Sequence, residues 1–112
     1  MAVINQYKFY GKTSTAAASG TLLAPLISET IIIKSLRVTN KSGANTPTLT
    51  LKDNGVSILW ASSLTAATSA ELLTLPLVVE GNTTLTYTTV GDCTDGVVIA
   101  ISYLNIKKEV TT

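Results

Sequence analysis

Strict alternation of hydroxyl-bearing and apolar residues is the feature that most limits what this chain can become. Thr83-Thr84-Leu85-Thr86-Tyr87-Thr88-Thr89 puts Leu85 and Tyr87 on one side of an extended backbone and Thr84, Thr86 and Thr88 on the other, because successive side chains of a strand point to opposite faces. Pro47 to Lys52 repeats the pattern, with Leu49 and Leu51 against Thr48 and Thr50. Asp53-Asn54-Gly55 follows at once. Asn-Gly accepts the positive φ that tight hairpins require, so Val56 to Trp60 is expected to return as the partner strand. No segment sustains the three-and-four spacing of an amphipathic helix.

The remaining strands follow from the same logic. Gly96 to Lys107 is a long final strand with Val97, Ile99, Ile101 and Tyr103 on its bulky face. Thr30 to Asn40 changes phase midway: Ile31 and Ile33 lie on one face, Leu36 and Val38 on the other. One extra residue near Lys34-Ser35 would bring both pairs to the same side, so a bulge or a switch of sheet is expected there. Glu71 to Glu80 reads as two short strands around Pro76, and Gly20 to Leu23 as another. Leu64 to Ala70 reads as a loop with room for one helical turn. The expected fold is a single-domain antiparallel β-sandwich of seven or eight strands, jelly-roll-like, with an extended N-terminal segment. Residues 1–12 form an arm or a first strand, 13–20 a linker, and 21–112 the sandwich. Its core is expected to hold Leu36, Val38, Leu49, Leu51, Leu85, Tyr87, Ile99 and Ile101.

Composition removes most chemistry. The 112 residues include no histidine and one cysteine, which excludes His-based triads, Cys–His dyads, zinc sites rich in these residues and an internal disulfide. Gly91-Asp92-Cys93-Thr94-Asp95-Gly96 is the densest polar cluster and reads as a turn in preference to a calcium loop. Cys93 has no histidine to activate it. Glu29, Asp53, Glu71, Glu80, Asp92 and Asp95 all fall at strand ends or turns, with no catalytic pair singled out. The expectation is no enzyme, no metal and no cofactor. A net charge of +1 gives no basic field for nucleic acid. The longest apolar run, Val97 to Ile101, is far short of a membrane helix, and the first ten residues do not read as a signal peptide.

What remains is surface. Only 13% of residues are charged, about half the usual share, which favours association. Tyr7, Phe9 and Tyr10 concentrate aromatic character in the first ten residues. As a free arm these would reach roughly 33 Å and suit interface pockets on a neighbour. Trp60, at a strand end, is the fourth candidate interface residue; an exposed aromatic platform there would instead favour a sugar ligand.

Four stretches carry a resemblance. They are Ile31 to Asn40, Thr48 to Asp53, Leu72 to Asn82 and Val97 to Ile106. In order they give a strand ending in Asn, a Thr-rich strand, a Leu-Leu run ending in Gly-Asn, and a final strand containing Ser-Tyr. Over roughly residues 20–107 the chain resembles small β-sandwich virion proteins of tailed bacteriophages. The resemblance implies a structural role, foremost capsid decoration (a cement protein), with a neck, collar or tail component as the nearest alternative. A glycan- or receptor-binding module is the alternative of another class. The partners it implies are further copies of the chain, as a homotrimer, and a major capsid or other virion protein. The location it implies is the virion, after synthesis in the host bacterial cytoplasm. No functional residue is carried over from the resemblance.

Overall fold

A computed structural model describes residues 3–108, which form nine strands and, among these residues, no helix. The strands are β1 (Val3–Ser14), β2 (Ser19–Leu23), β3 (Glu29–Asn40), β4 (Thr48–Asp53), β5 (Val56–Ser63), β6 (Thr68–Glu71), β7 (Leu77–Val79), β8 (Leu85–Val90) and β9 (Val97–Lys108). One sheet runs β1-β9-β3-β6, with β7 also paired to β3; the other runs β2-β8-β4-β5. Every pairing is antiparallel. The pairs are nested: β1 with β9, β2 with β8, β3 with β6 and β7, β4 with β5. The chain is thus one long hairpin wound across two sheets, and the all-β sandwich is established.

The alternation places the core where the sequence indicates. Leu36, Val38, Leu49, Leu51, Leu85, Tyr87, Ile99 and Ile101 are all buried between the sheets. Ile31, Ile33, Val79 and Val97 extend the same layer. The Asn54-Gly55 turn has φ of 52° and 78°, the left-handed pair that a two-residue hairpin loop needs, and Asp53 pairs with Val56 across it.

The phase break in β3 is a bulge. Its register against β9 shifts between Ile33 and Ser35, so Lys34 is the extra residue and the apolar residues before and after it face the same core. At this point the other partner of β3 changes from β7 to β6. Glu71 spans the break. Its carboxylate accepts the Leu36 N–H at 2.7 Å and the Ser35 hydroxyl, while the Leu72 N–H donates to the Leu36 carbonyl at 2.9 Å. A second polar pin lies where β3 ends. Buried Asn40 donates to the carbonyls of Asn45 (2.8 Å) and Leu64 (3.1 Å) and accepts the Ser42 N–H (3.1 Å). Each of these bonds satisfies a loop group that burial would otherwise leave costly.

Two sequence expectations change, and the choice between arm and first strand is decided for residues 3–12 in favour of the strand. Residues 13–20 are not a linker: β1 runs through Ser14 and β2 begins at Ser19, leaving only 15–18 between strands. Residues 3–12 are not an arm hanging in solvent; β1 pairs with β9 without interruption from Val3–Lys108 to Ser14–Val97. Leu64 to Ala70 makes no helical turn, since a turn at Ala66-Ala67 leads directly into β6.

Gly81 fixes one end of the sandwich. A Cβ added there would stand 2.6 Å from the Leu26 carbonyl oxygen and 2.7 Å from those of Ile27 and Glu29. These are backbone atoms and cannot move cheaply. We expect Gly81→Ala to cost about 1–3 kcal/mol in urea unfolding, as overpacking does. Gly43→Ala, where an added Cβ meets nothing within 4 Å, should be close to neutral.

Candidate functional site

The chain offers surfaces, and three of them carry large apolar side chains into solvent. The first is β1. Alternation separates its aromatics: Tyr7 (81% exposed) and Phe9 (68%) project from the outer face, whereas Tyr10 turns inward and packs against the core. Tyr10 is therefore a packing residue and not a third surface anchor. The inner face also takes Lys12, whose ammonium lies 5.6 Å from the centre of the Tyr87 ring.

The second surface is the outer face of the β2-β8-β4-β5 sheet. Its residues include Thr21, Thr48, Thr50, Thr86 and Thr88, with Trp60 at one margin. Trp60 is 71% exposed. Its orientation comes from a bulge: Leu59 faces Leu51 and Ser62 faces Leu49, so Trp60 and Ala61 together oppose Thr50. Ala61 sits at a φ of 44°, costly for a residue with a Cβ, and its N–H donates to the Thr50 hydroxyl at 2.9 Å. Lys52 lies 6.0 Å from the centre of the Trp60 ring. A groove of 260 Å³ runs between Trp60 and the threonines.

Sequence reasoning missed the third surface. Leu26 and Ile27 occupy the turn between β2 and β3, and Ile27 is 84% exposed. The turn is firmly held. The Glu29 carboxylate accepts the Leu26 N–H (2.8 Å) and the Asn105 side-chain amide (3.1 Å). The Glu29 N–H donates to the Leu26 carbonyl, the Asn82 N–H to the Pro25 carbonyl and the Lys108 N–H to the Ser28 carbonyl. Two large apolar side chains are thus displayed on a fixed support. The available signal was an apolar pair outside any alternation, between Pro25 and Ser28.

The polar clusters are occupied structurally. Asp92 accepts both the Thr94 N–H (3.0 Å) and its hydroxyl (2.6 Å), which forms the turn read from the sequence and holds its carboxyl below the usual range. Cys93 is buried. Among the described residues no three His, Cys, Asp or Glu side chains gather as a metal site would need. Asp53 and Glu80 line one shallow groove; burial and then the Glu80 charge raise the Asp53 pKa.

Glu29 and Glu71 are shifted the other way. At Glu29 the Leu26 N–H lowers the pKa first, then Asn105, against a smaller opposing effect of burial. At Glu71 burial raises it, but hydrogen bonds from Ser35, Leu36 and Leu73 outweigh that. A carboxylate lowered on folding stabilises the fold above its ordinary value of 4.5, and that contribution is lost as pH falls through the folded value. Asp53 works in the opposite sense just above its ordinary value of 3.8. We expect the urea midpoint to fall between about pH 5 and about pH 3. Glu71→Gln should flatten this dependence, and an unchanged slope would remove Glu71 from the account.

Comparison with known proteins finds no matching family model, no matching curated protein and no matching solved structure.

Proposed function

We propose that this chain is a virion structural protein, foremost a capsid decoration protein that binds particles through protein–protein contacts and self-associates. The observation that carries the reading is the display of Leu26 and Ile27 on a hydrogen-bonded turn. The backbone that carries them is already held by hydrogen bonds in the free chain, so docking against another protein requires little further ordering of the turn and gains from burying them. Each side chain fully buried contributes about 1.5–3 kcal/mol. The strand order supports a jelly-roll description of the sandwich, and the virion assignment itself rests on the sequence resemblance.

Cryo-electron microscopy of particles from a phage encoding this chain tests the proposal. Density for the sandwich on the outer capsid surface is the expected result. Density at the neck or tail would select the alternative within the class, and absence of the chain from purified particles would reject both. Ile27→Asp should abolish particle binding while leaving the circular dichroism spectrum unchanged.

A second reading has its own observation. Trp60 stands exposed beside a hydroxyl-rich sheet face, the arrangement expected of a sugar platform. Trp60 is the only tryptophan, so its fluorescence reports binding there without interference. A saturable change with an oligosaccharide, weakened in Thr48→Val, which lines the same groove without holding the bulge, would support this reading. A flat response across a glycan panel would dismiss it.

A further inference from the structure

The fold segregates charge that the sequence leaves mixed. Of the eight basic residues, six lie on β1, β3 and β9: Lys8, Lys12, Lys34, Arg37, Lys107 and Lys108. Among the described residues the same sheet carries two acids, Glu29 and Glu71, and both are engaged. Glu29 accepts the Leu26 N–H and the Asn105 amide, and Glu71 holds the β3 bulge. The other described acids, Asp53, Glu80, Asp92 and Asp95, belong to the second sheet and to loops. A chain with a net charge of +1 thus presents one distinctly basic sheet.

β1 is the edge of that sheet. It runs in unbroken register from Val3 to Ser14, and among the described residues no strand lies on its other side. The remaining edges are interrupted: β2 by a register shift, β5 by the Trp60-Ala61 bulge, and the β6–β7 edge by Leu72 to Pro76. Lys8 and Lys12 lie on one face of β1, with Tyr10 between them. A residue within a sheet has a cross-strand neighbour on each side. On the paired side Lys8 meets Tyr103 and Lys12 meets Ile99, and neither is acidic. Lys12 lies over the Tyr87 ring, and Lys8 is the weakest of the influences on Glu29. A carboxylate that answers both charges must come from the open side.

We propose that β1 takes up an acidic strand of another protein, an extended segment whose carboxylates, four residues apart, oppose Lys8 and Lys12. Charge selects this occupant. A second β1 brings lysines to lysines and no carboxylate to either, so the edge lysines bar the chain's own copies. A neutral strand completes the backbone ladder but leaves both ammonium groups unanswered. A strand whose inner face reads acid, apolar, acid sets two opposite-charge pairs on either side of a contact with Tyr10. The pattern is the same for a parallel and an antiparallel partner, because side chains return to one face every second residue in both. On the outer face such a strand meets the exposed Tyr7 and Phe9, against which apolar side chains at its alternate positions can pack. The basic sheet behind the edge attracts the same partner from a distance. A nucleic acid meets the same charge but has no strand with which to extend the ladder. The inference stands apart from the virion reading.

Labelled peptides test it on the full chain. The probe has two glutamates four residues apart, valine midway between them and threonine at the alternate positions. Fluorescence anisotropy should show saturable binding that weakens as salt is raised. Glutamine in place of both glutamates should weaken it roughly tenfold, and lysine in their place should abolish it. Lys8→Glu combined with Lys12→Glu should reverse the preference, so that the lysine peptide binds more tightly than the glutamate one, a result that loss of folding does not imitate. Adding the glutamate peptide to the parent chain should slow hydrogen exchange at the β1 amides that point away from β9. No saturable binding to the parent chain, or equal binding of the glutamate and glutamine peptides, would overturn the proposal. So would slowed exchange at another surface with β1 unchanged. Displacement of the peptide by an equal concentration of oligothymidylate would overturn it in favour of a general polyanion surface. Particle binding bears on none of these outcomes.

Discussion

Leu85→Ala should lower the unfolding free energy by about 2–5 kcal/mol, the range for emptying a fully enclosed leucine site. Leu85 opens β8 and is fully buried. Its backbone neighbours are Leu23 on β2 and Asp53 on β4, so strands flank it on both sides. The facing sheet is stapled by the long β9–β3 ladder, and it cannot collapse into the space without breaking register. For a domain of this size the loss corresponds to a fall in melting temperature of roughly 10–20 °C. A cost below about 1 kcal/mol would mean the two sheets do not pack face to face at this point. Thr86→Ala, on the half-exposed outer face one residue along, should stay within about 0.5 kcal/mol.

Removing residues 1–12 should do more damage still. A free arm would be dispensable for folding, but β1 is a sheet strand whose ladder with β9 begins at Val3–Lys108. Its inner face sets Tyr10 on the core and Lys12 over the Tyr87 ring. Truncation strips β9 of one of its two neighbours and uncovers that part of the core. We expect a chain that unfolds without a sharp transition, or one that melts about 20 °C or more below the parent. Restoring a synthetic peptide of residues 1–14 to the truncated chain should recover the transition, as strand addition to an open edge does. A truncated chain with the parent melting temperature would show that β1 contributes no stability.

The contrast between β8 and β1 shows what can be read locally. In β8 and β4 each apolar residue alternates with a threonine, so burial on one face is written into the period. The break at Lys34 was legible for the same reason, because Ile31 and Ile33 are out of phase with Leu36 and Val38; that it is a bulge and not a switch of sheet is decided by the continued pairing with β9. β1 has no such period. Its inner face holds Gln6, Lys8, Tyr10 and Lys12, and its outer face Asn5, Tyr7, Phe9 and Gly11. What makes it a strand is β9, at the opposite end of the sequence. The Leu26-Ile27 turn is equally silent, since the amide that anchors Glu29 belongs to Asn105. The exposure of Trp60 depends on the left-handed conformation of Ala61, where no glycine gives notice of a bend.

The nesting of the strands also determines how the molecule bears force. The ends of the described chain lie side by side in the first rung of the β1–β9 ladder, Val3 against Lys108. Tension applied through the two ends loads that rung alone, then Ile4–Lys107, then each rung in turn. The sheet would open like a zipper at the strength of a single pair of bonds. A pull that enters through the flat of the sheet or along an adjoining strand loads every rung together in shear, and its resistance is the sum of them. A sandwich of this winding is therefore mechanically weak as a link in a tether and strong as a tile.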